Sequence, residues 1–161
     1  MSIKLTIELV PSTAWNQSLY NLLPRKEWTD LKNKVFTKEG HQCYICGSSE
    51  GILSLHEFWS YDEPTYVQKL VEFHHLCNLC HKIKHIGFWC HTVDGQAKLE
   101  QEGYSPDDLV THFCKVNNCS KEDFERYEDE SFKVWKKRSQ HGWSQDFGEY
   151  SKSIKIRRPQ F

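Results

Sequence analysis

The sequence predicts an α+β fold, and three observations carry that prediction. Two C-x-x-C pairs, Cys43/Cys46 and Cys77/Cys80, stand about thirty residues apart, a spacing typical of a metal frame. Between them lie two runs rich in β-branched and aromatic residues, ILSLHEF (52–58) and TYVQKLVEF (65–73), separated by the turn-prone YDEP. On either side, apolar residues recur at helical spacing. Strand, strand, helix, with metal ligands at the seams, is the expected core. An N-terminal strand and helix and several C-terminal helices are expected to flank it.

In chain order, residues 3–10 alternate apolar and polar, with Ile3, Leu5, Ile7 and Leu9 on one face, and read as a half-buried strand closed by Pro11. The next stretch reads as a loop with a short helical turn, anchored in the core by Trp15, Leu19, Leu22 and Leu23. After Pro24, the spacing of Trp28, Leu31, Val35 and Phe36 predicts a helix stopped by Gly40. Residues 76–86 return to helical spacing through Leu79, Ile83 and Ile86. The polar stretch up to Gly103 has no clear assignment. Ser105-Pro106-Asp107-Asp108 opens a helix with a cap, a proline at the first position and acids in the first turn, and Ser120 opens another. The last helix is acidic early and basic late, which complements its dipole. The tail after Glu149 carries Lys152, Lys155, Arg157 and Arg158 and no acid, so it could touch phosphates. The organisation expected is 1–40 packing on a core at 41–90, with 91–161 a helical extension ending in a basic tail, all within one compact domain.

The bulk numbers restrict the chemistry. At 161 residues and 19.1 kDa the chain can bury a modest core, and 7 Cys with 9 His offer extra stapling. An odd cysteine count argues against a disulfide framework. A charged fraction of 27% and a mean hydropathy of -0.71, with no apolar run near about 18 residues and no signal-like start, predict an intracellular, cytoplasmic chain with no membrane partner. The formal net charge of -1 confines any phosphate-binding surface to a local patch.

Zinc prefers four soft ligands in a tetrahedron, and Cys43, Cys46, Cys77 and Cys80 offer them, so a structural Zn2+ is expected. Cys90, Cys114 and Cys119 lack paired spacing and read as packing residues or free thiols. A second site is expected beside the first. His81 and His85 stand at i and i+4, and the strand bearing His56 could bring a third imidazole to them, leaving positions open for water and a phosphate oxygen.

These residues carry a resemblance. C-x-x-C, a strand ending in a histidine, and then L-C-x-x-C-H-x-x-K on a helix, here Cys43, Cys46, His56 and Leu76 to Lys84, resemble the HNH, or ββα-metal, endonuclease family in its zinc-containing form. The match covers residues 41–87. Outside it, LVPSTAW, HEFWSYDE, KHIGFW and KKRSQHGW look like stretches of uncharacterised bacterial and phage proteins labelled HNH.

The resemblance implies a ββα-metal core and metal-dependent hydrolysis of phosphodiester bonds, with DNA the first expectation as substrate and the host cytoplasm the setting if the chain is phage-encoded. His56, His81 and His85 would hold a catalytic Mg2+, Mn2+, Ni2+ or Zn2+, and Glu57 would fall at the general-base position. A second register makes His56 the base, leaves Leu55 at the ligand position and offers Asp62 as a substitute ligand. Glu72 replaces the family's middle asparagine; a carboxylate can accept a hydrogen bond from an imidazole but cannot donate one. Lys82 and Lys84, with Arg157 and Arg158 of the tail, would contact flanking phosphates. A homodimer and a protein partner stay open. The competing readings are a zinc-stabilised binding module that has lost cleavage, with Trp59, Tyr61 and Asp62 as its contact surface, and a purely structural zinc protein of a larger assembly.

Overall fold

The computed structural model describes residues 3–15 and 18–154, and the fold is α+β. A short 3-10 turn, Ser12–Ala14, precedes α1 (Leu19–Leu22) and α2 (Arg25–Glu39). The hairpin of β1 (Ser54–Asp62) and β2 (Val67–Leu76) follows, then α3 (Asn78–Lys84), α4 (Ile86–His91), α5 (Val93–Gln101), α6 (Pro106–Asn117) and α7 (Lys121–Arg138). The described chain ends with β3 (Ser144–Asp146) and a second 3-10 turn, Gly148–Lys152. None of the described helices is long and apolar enough to cross a membrane.

The antiparallel hairpin runs from Ser54 opposite Leu76 to Asp62 opposite Val67, and both strands are longer than the sequence pattern indicated. Between Phe58 and Trp59 the register shifts, so Glu72 and Leu70 face them in turn and Val71 is the extra residue, left exposed. An unanticipated third strand, β3, pairs in parallel with the start of β2.

The sheet separates two apolar clusters. Leu55 and Phe73 pack with Leu19, Leu23 and Leu31 of α1 and α2. The larger cluster joins Cys43, Cys77 and Cys80 to Ile83, Ile86, Leu99, Leu109, Phe113 and Phe124 from α3 to α7. Local signals explain the helix ends. Gly40 closes α2 at φ 74, where glycine carries no Cβ penalty. Ser105 with Asp108, and Ser120 with Asp123, form complete capping boxes on α6 and α7. Thr92 caps α5, the helix within the unassigned polar stretch.

Residues 3–10 depart from expectation. Leu5 and Ile7 are buried as the alternation requires, but the segment joins no sheet. Part of its backbone is instead held by the α6 and α7 side chains Asn117, which pairs with Lys4 and Leu5, and Tyr127, which accepts from Ile7 N, and by one bond from Glu8 N to Lys84 O at 3.2 Å. An extended segment can bury alternate residues against helices as well as against a sheet, so the pattern alone does not specify a ladder. Trp15 is likewise no core anchor: it is 57% exposed, with its indole N–H donating to Val10 O.

Candidate metal centre

The first ligand pair sits in a tight knuckle. Gly47 adopts φ 77, its N–H donates to Cys43 O at 2.9 Å, and Tyr44 N donates to His75 O at 2.9 Å, which fastens the turn to the end of β2. The second pair spans the start of α3, where Cys77 is the N-cap and its sulfur accepts from Cys80 N. One ligand atom from each of Cys43, Cys46, Cys77 and Cys80 lies within 4.8 Å of all the others, and the Cys46 and Cys77 sulfurs are 3.6 Å apart. A tetrahedron with Zn–S bonds of about 2.3 Å has an edge of about 3.8 Å, so the four thiols fit such an ion. Their protonation fits it too. Hydrogen bonds from Cys77 and then Cys80 hold the Cys43 thiol far below its ordinary value, while the bond to Cys43 pushes Cys77 up to about 12 and raises Cys80 further. Thiols this close hold one another protonated until a cation compensates their charge. His112 of α6, which the sequence did not single out, places Nε2 3.2 Å from the Cys80 sulfur.

Beside this frame, β1, α3 and the residue that caps α3 bring His56, His81 and His85 together. A ligand nitrogen of each lies within 4.8 Å of the other two, and the ring centroids are 4.9–5.2 Å apart. His56 is buried and His85 stands at the exposed rim, just past the last residue of α3. Desolvation first, and the neighbouring imidazoles second, lower His81 to about 3. It is therefore neutral near pH 7, with a lone pair free for a cation.

No family model matches this chain, and no curated protein or solved structure is significantly similar to it.

The other expected site residues are placed differently. Glu57 follows His56 on a strand, so its side chain points to the opposite face of the sheet, where its carboxylate accepts from Leu19 N at 2.7 Å and Tyr20 N at 3.4 Å. Burial outweighs those bonds and raises it to about 7. It cannot serve as a base beside His56. Asp62 stands six positions further along β1 and accepts from Thr65 at the hairpin turn, which removes it as a substitute ligand. Glu72 lies beside His74, Oε2 to Nε2 3.1 Å, although that nitrogen has no well-directed hydrogen bond, and His74 also contacts Glu39 and stacks on Tyr44. Glu72 is thus not brought into the histidine trio.

Both lysines expected at phosphates are buried. Lys82 pairs with Glu102 at 2.7 Å and lies 3.6 Å above the centre of the Trp89 ring. Lys84, 2% exposed, donates to Thr6 Oγ1 at 2.6 Å and Glu8 Oε1 at 3.3 Å. Helical position explains this: they flank Ile83, on the side of α3 that packs into the protein. Arg157 and Arg158 lie outside the described residues. Of the suggested contact surface, Trp59 packs on Phe147 and Tyr61 on Trp143 and Arg138, leaving only Asp62 exposed.

The acid that reaches the trio is Glu8, which sequence reasoning passed over as the polar side of an alternating segment. Its Oε2 lies 2.7 Å from His56 Nε2. Burial raises Glu8, but the hydrogen bond and charge of His56, with help from Lys84, outweigh it and leave the carboxyl below its ordinary value.

Proposed function

We propose that the protein is a metal-dependent endonuclease of the HNH type, hydrolysing phosphodiester bonds in nucleic acid, DNA first among them. The observation that supports this most is the convergence of His56, His81 and His85 from a hairpin strand and the helix after it, next to a four-cysteine frame. On this reading the cysteines hold a structural Zn2+ and the core is of the ββα-metal type. The imidazoles hold a second divalent ion, Mg2+, Mn2+, Ni2+ or Zn2+, which when bound supplies Lewis-acid stabilisation of charge on a phosphate and lowers the pKa of water. The chain's own part is to present three imidazoles in fixed orientation, with the rim at His85 open for substrate to approach.

Burial of Lys82 and Lys84 against carboxylates favours a second reading. Neither is free to meet a phosphate, as a metal-bearing scaffold that has lost cleavage and binds a partner would allow. One experiment separates the two. Zinc-loaded protein cleared of loosely held metal is given Mg2+, Mn2+, Ni2+ or Zn2+ singly and incubated with supercoiled plasmid, beside His56→Ala and His81→Ala. Nicking that both substitutions abolish supports the nuclease. Intact plasmid with every metal, from protein that retains its cysteine-bound zinc, favours the binding scaffold.

A further inference from the structure

We infer that Glu8 is a positioning residue for the histidine trio, holding the His56 imidazole by one ring nitrogen so that its other nitrogen is turned to a divalent cation shared with His81 and His85. This rests on the metal reading proposed above. A ligand histidine is ordinarily fixed by a carboxylate or carbonyl on its far ring nitrogen, which sets tautomer and orientation and raises basicity. Glu8 makes that contact at 2.7 Å and is the carboxylate the described residues place against the trio. It is itself held: Lys84 Nζ bridges Glu8 Oε1 and Thr6 Oγ1, and Glu8 N donates to Lys84 O. Lys84 follows His81 by about one helical turn and immediately precedes His85, so the helix that carries one imidazole and leads directly into the second also anchors the carboxylate that orients the third. The segment supplying Glu8 is extended and outside the sheet, and the side chains of α6 and α7 hold it in place. The metal-binding unit therefore extends beyond 41–90 to Glu8.

The test is calorimetric titration of Ni2+ into zinc-loaded full-length protein, for the wild type, Glu8→Ala, Glu8→Gln, Asn117→Ala and His81→Ala. Wild-type binding that His81→Ala abolishes locates the ion at the trio. Glu8→Ala is then expected to weaken Ni2+ by about 10–100-fold and Glu8→Gln, which keeps an acceptor but loses the charge, by less. Zinc content and the unfolding temperature without Ni2+ report whether each variant folds; should Glu8→Ala fail to fold, Glu8→Gln carries the test. Asn117→Ala loosens the same segment without touching His56, so a loss as large as that of Glu8→Ala would assign Glu8 a merely structural role and overturn the inference. Unchanged affinity in Glu8→Ala overturns it while leaving the trio's metal intact. A wild type that takes up no Ni2+ sensitive to His81→Ala overturns the metal reading, and the role of Glu8 with it.

Discussion

Asn117, the last residue of α6, holds both backbone groups of Leu5: Oδ1 accepts from Leu5 N at 2.9 Å and Nδ2 donates to Leu5 O at 3.0 Å. The same oxygen takes Lys4 N–H at 2.8 Å. One buried amide thus does for residues 4 and 5 what a neighbouring strand would do. Asn117→Ala leaves these backbone groups without partners at a site where Leu5 is fully buried, and is expected to cost about 2–4 kcal/mol. Denaturant unfolding measures the loss, and faster amide exchange at Leu5 would trace it to this contact.

Glu57 sets a pH dependence. Its ordinary value of 4.5 is raised to about 7 in the folded chain, so between these limits the folded state keeps a proton that the unfolded chain releases. Its contribution to stability is complete below pH 4.5 and is lost as pH rises through 7. Glu57→Gln keeps an acceptor for Leu19 N and removes the buried charge. The variant should exceed the wild type by roughly 1–3 kcal/mol near pH 8 and match it near pH 4.5. Equal differences at both pH values in denaturant titrations would contradict this.

Lys84 is a structural cation. Lys84→Met keeps the length of the side chain but leaves Glu8 without its charge partner. The expected cost is about 2–3 kcal/mol, below the roughly 3–5 of a fully buried pair because Glu8 keeps some solvent contact. A surface lysine that only met phosphate would give no change in unfolding midpoint.

The cysteine frame should govern folding. Cys80→Ser, or a strong chelator, is expected to release one equivalent of zinc and to remove roughly 10 kcal/mol of coupled folding free energy, enough to unfold the core at room temperature. Metal analysis with circular dichroism reads both. Cys90→Ser and Cys114→Ser, outside the frame, should leave zinc content unchanged.

What the sequence made legible was chiefly local. The C-x-x-C spacing, the i, i+4 placement of His81 and His85, the capping residues Ser105 and Ser120 and the stop at Gly40 each declare themselves within a few residues, and the structure has all of them. Bringing His56 to the helix needed only the hairpin to close as its pattern implied. Glu57 was misassigned although strand alternation already placed it opposite His56. Lys82 and Lys84 misled because a lysine near a candidate site looks like a phosphate contact, whereas Trp89, Glu102 and Glu8 receive them in the fold. Glu8, His112 and Asn117 were invisible for another reason. Their partners lie between 32 and 113 residues away, and a single polar residue has no local signature of a distant contact.

The tethering of residues 3–10 by α6 and α7 has a consequence for how the protein is made. Glu8 is translated early, yet Asn117 and Tyr127, which hold its segment, follow the residues they bind by 112–120 positions. At about 5–20 residues per second, that is a wait of roughly 6–24 s on the ribosome. The cysteine knuckles, the hairpin and α3 can emerge and take up metal within that interval, while the segment that reaches His56 still lacks the Asn117 and Tyr127 contacts that hold it. A segment synthesised before the helices that tether it is thus among the last to settle, and nascent chains arrested before α6 would carry the cysteine frame beside an unfinished trio.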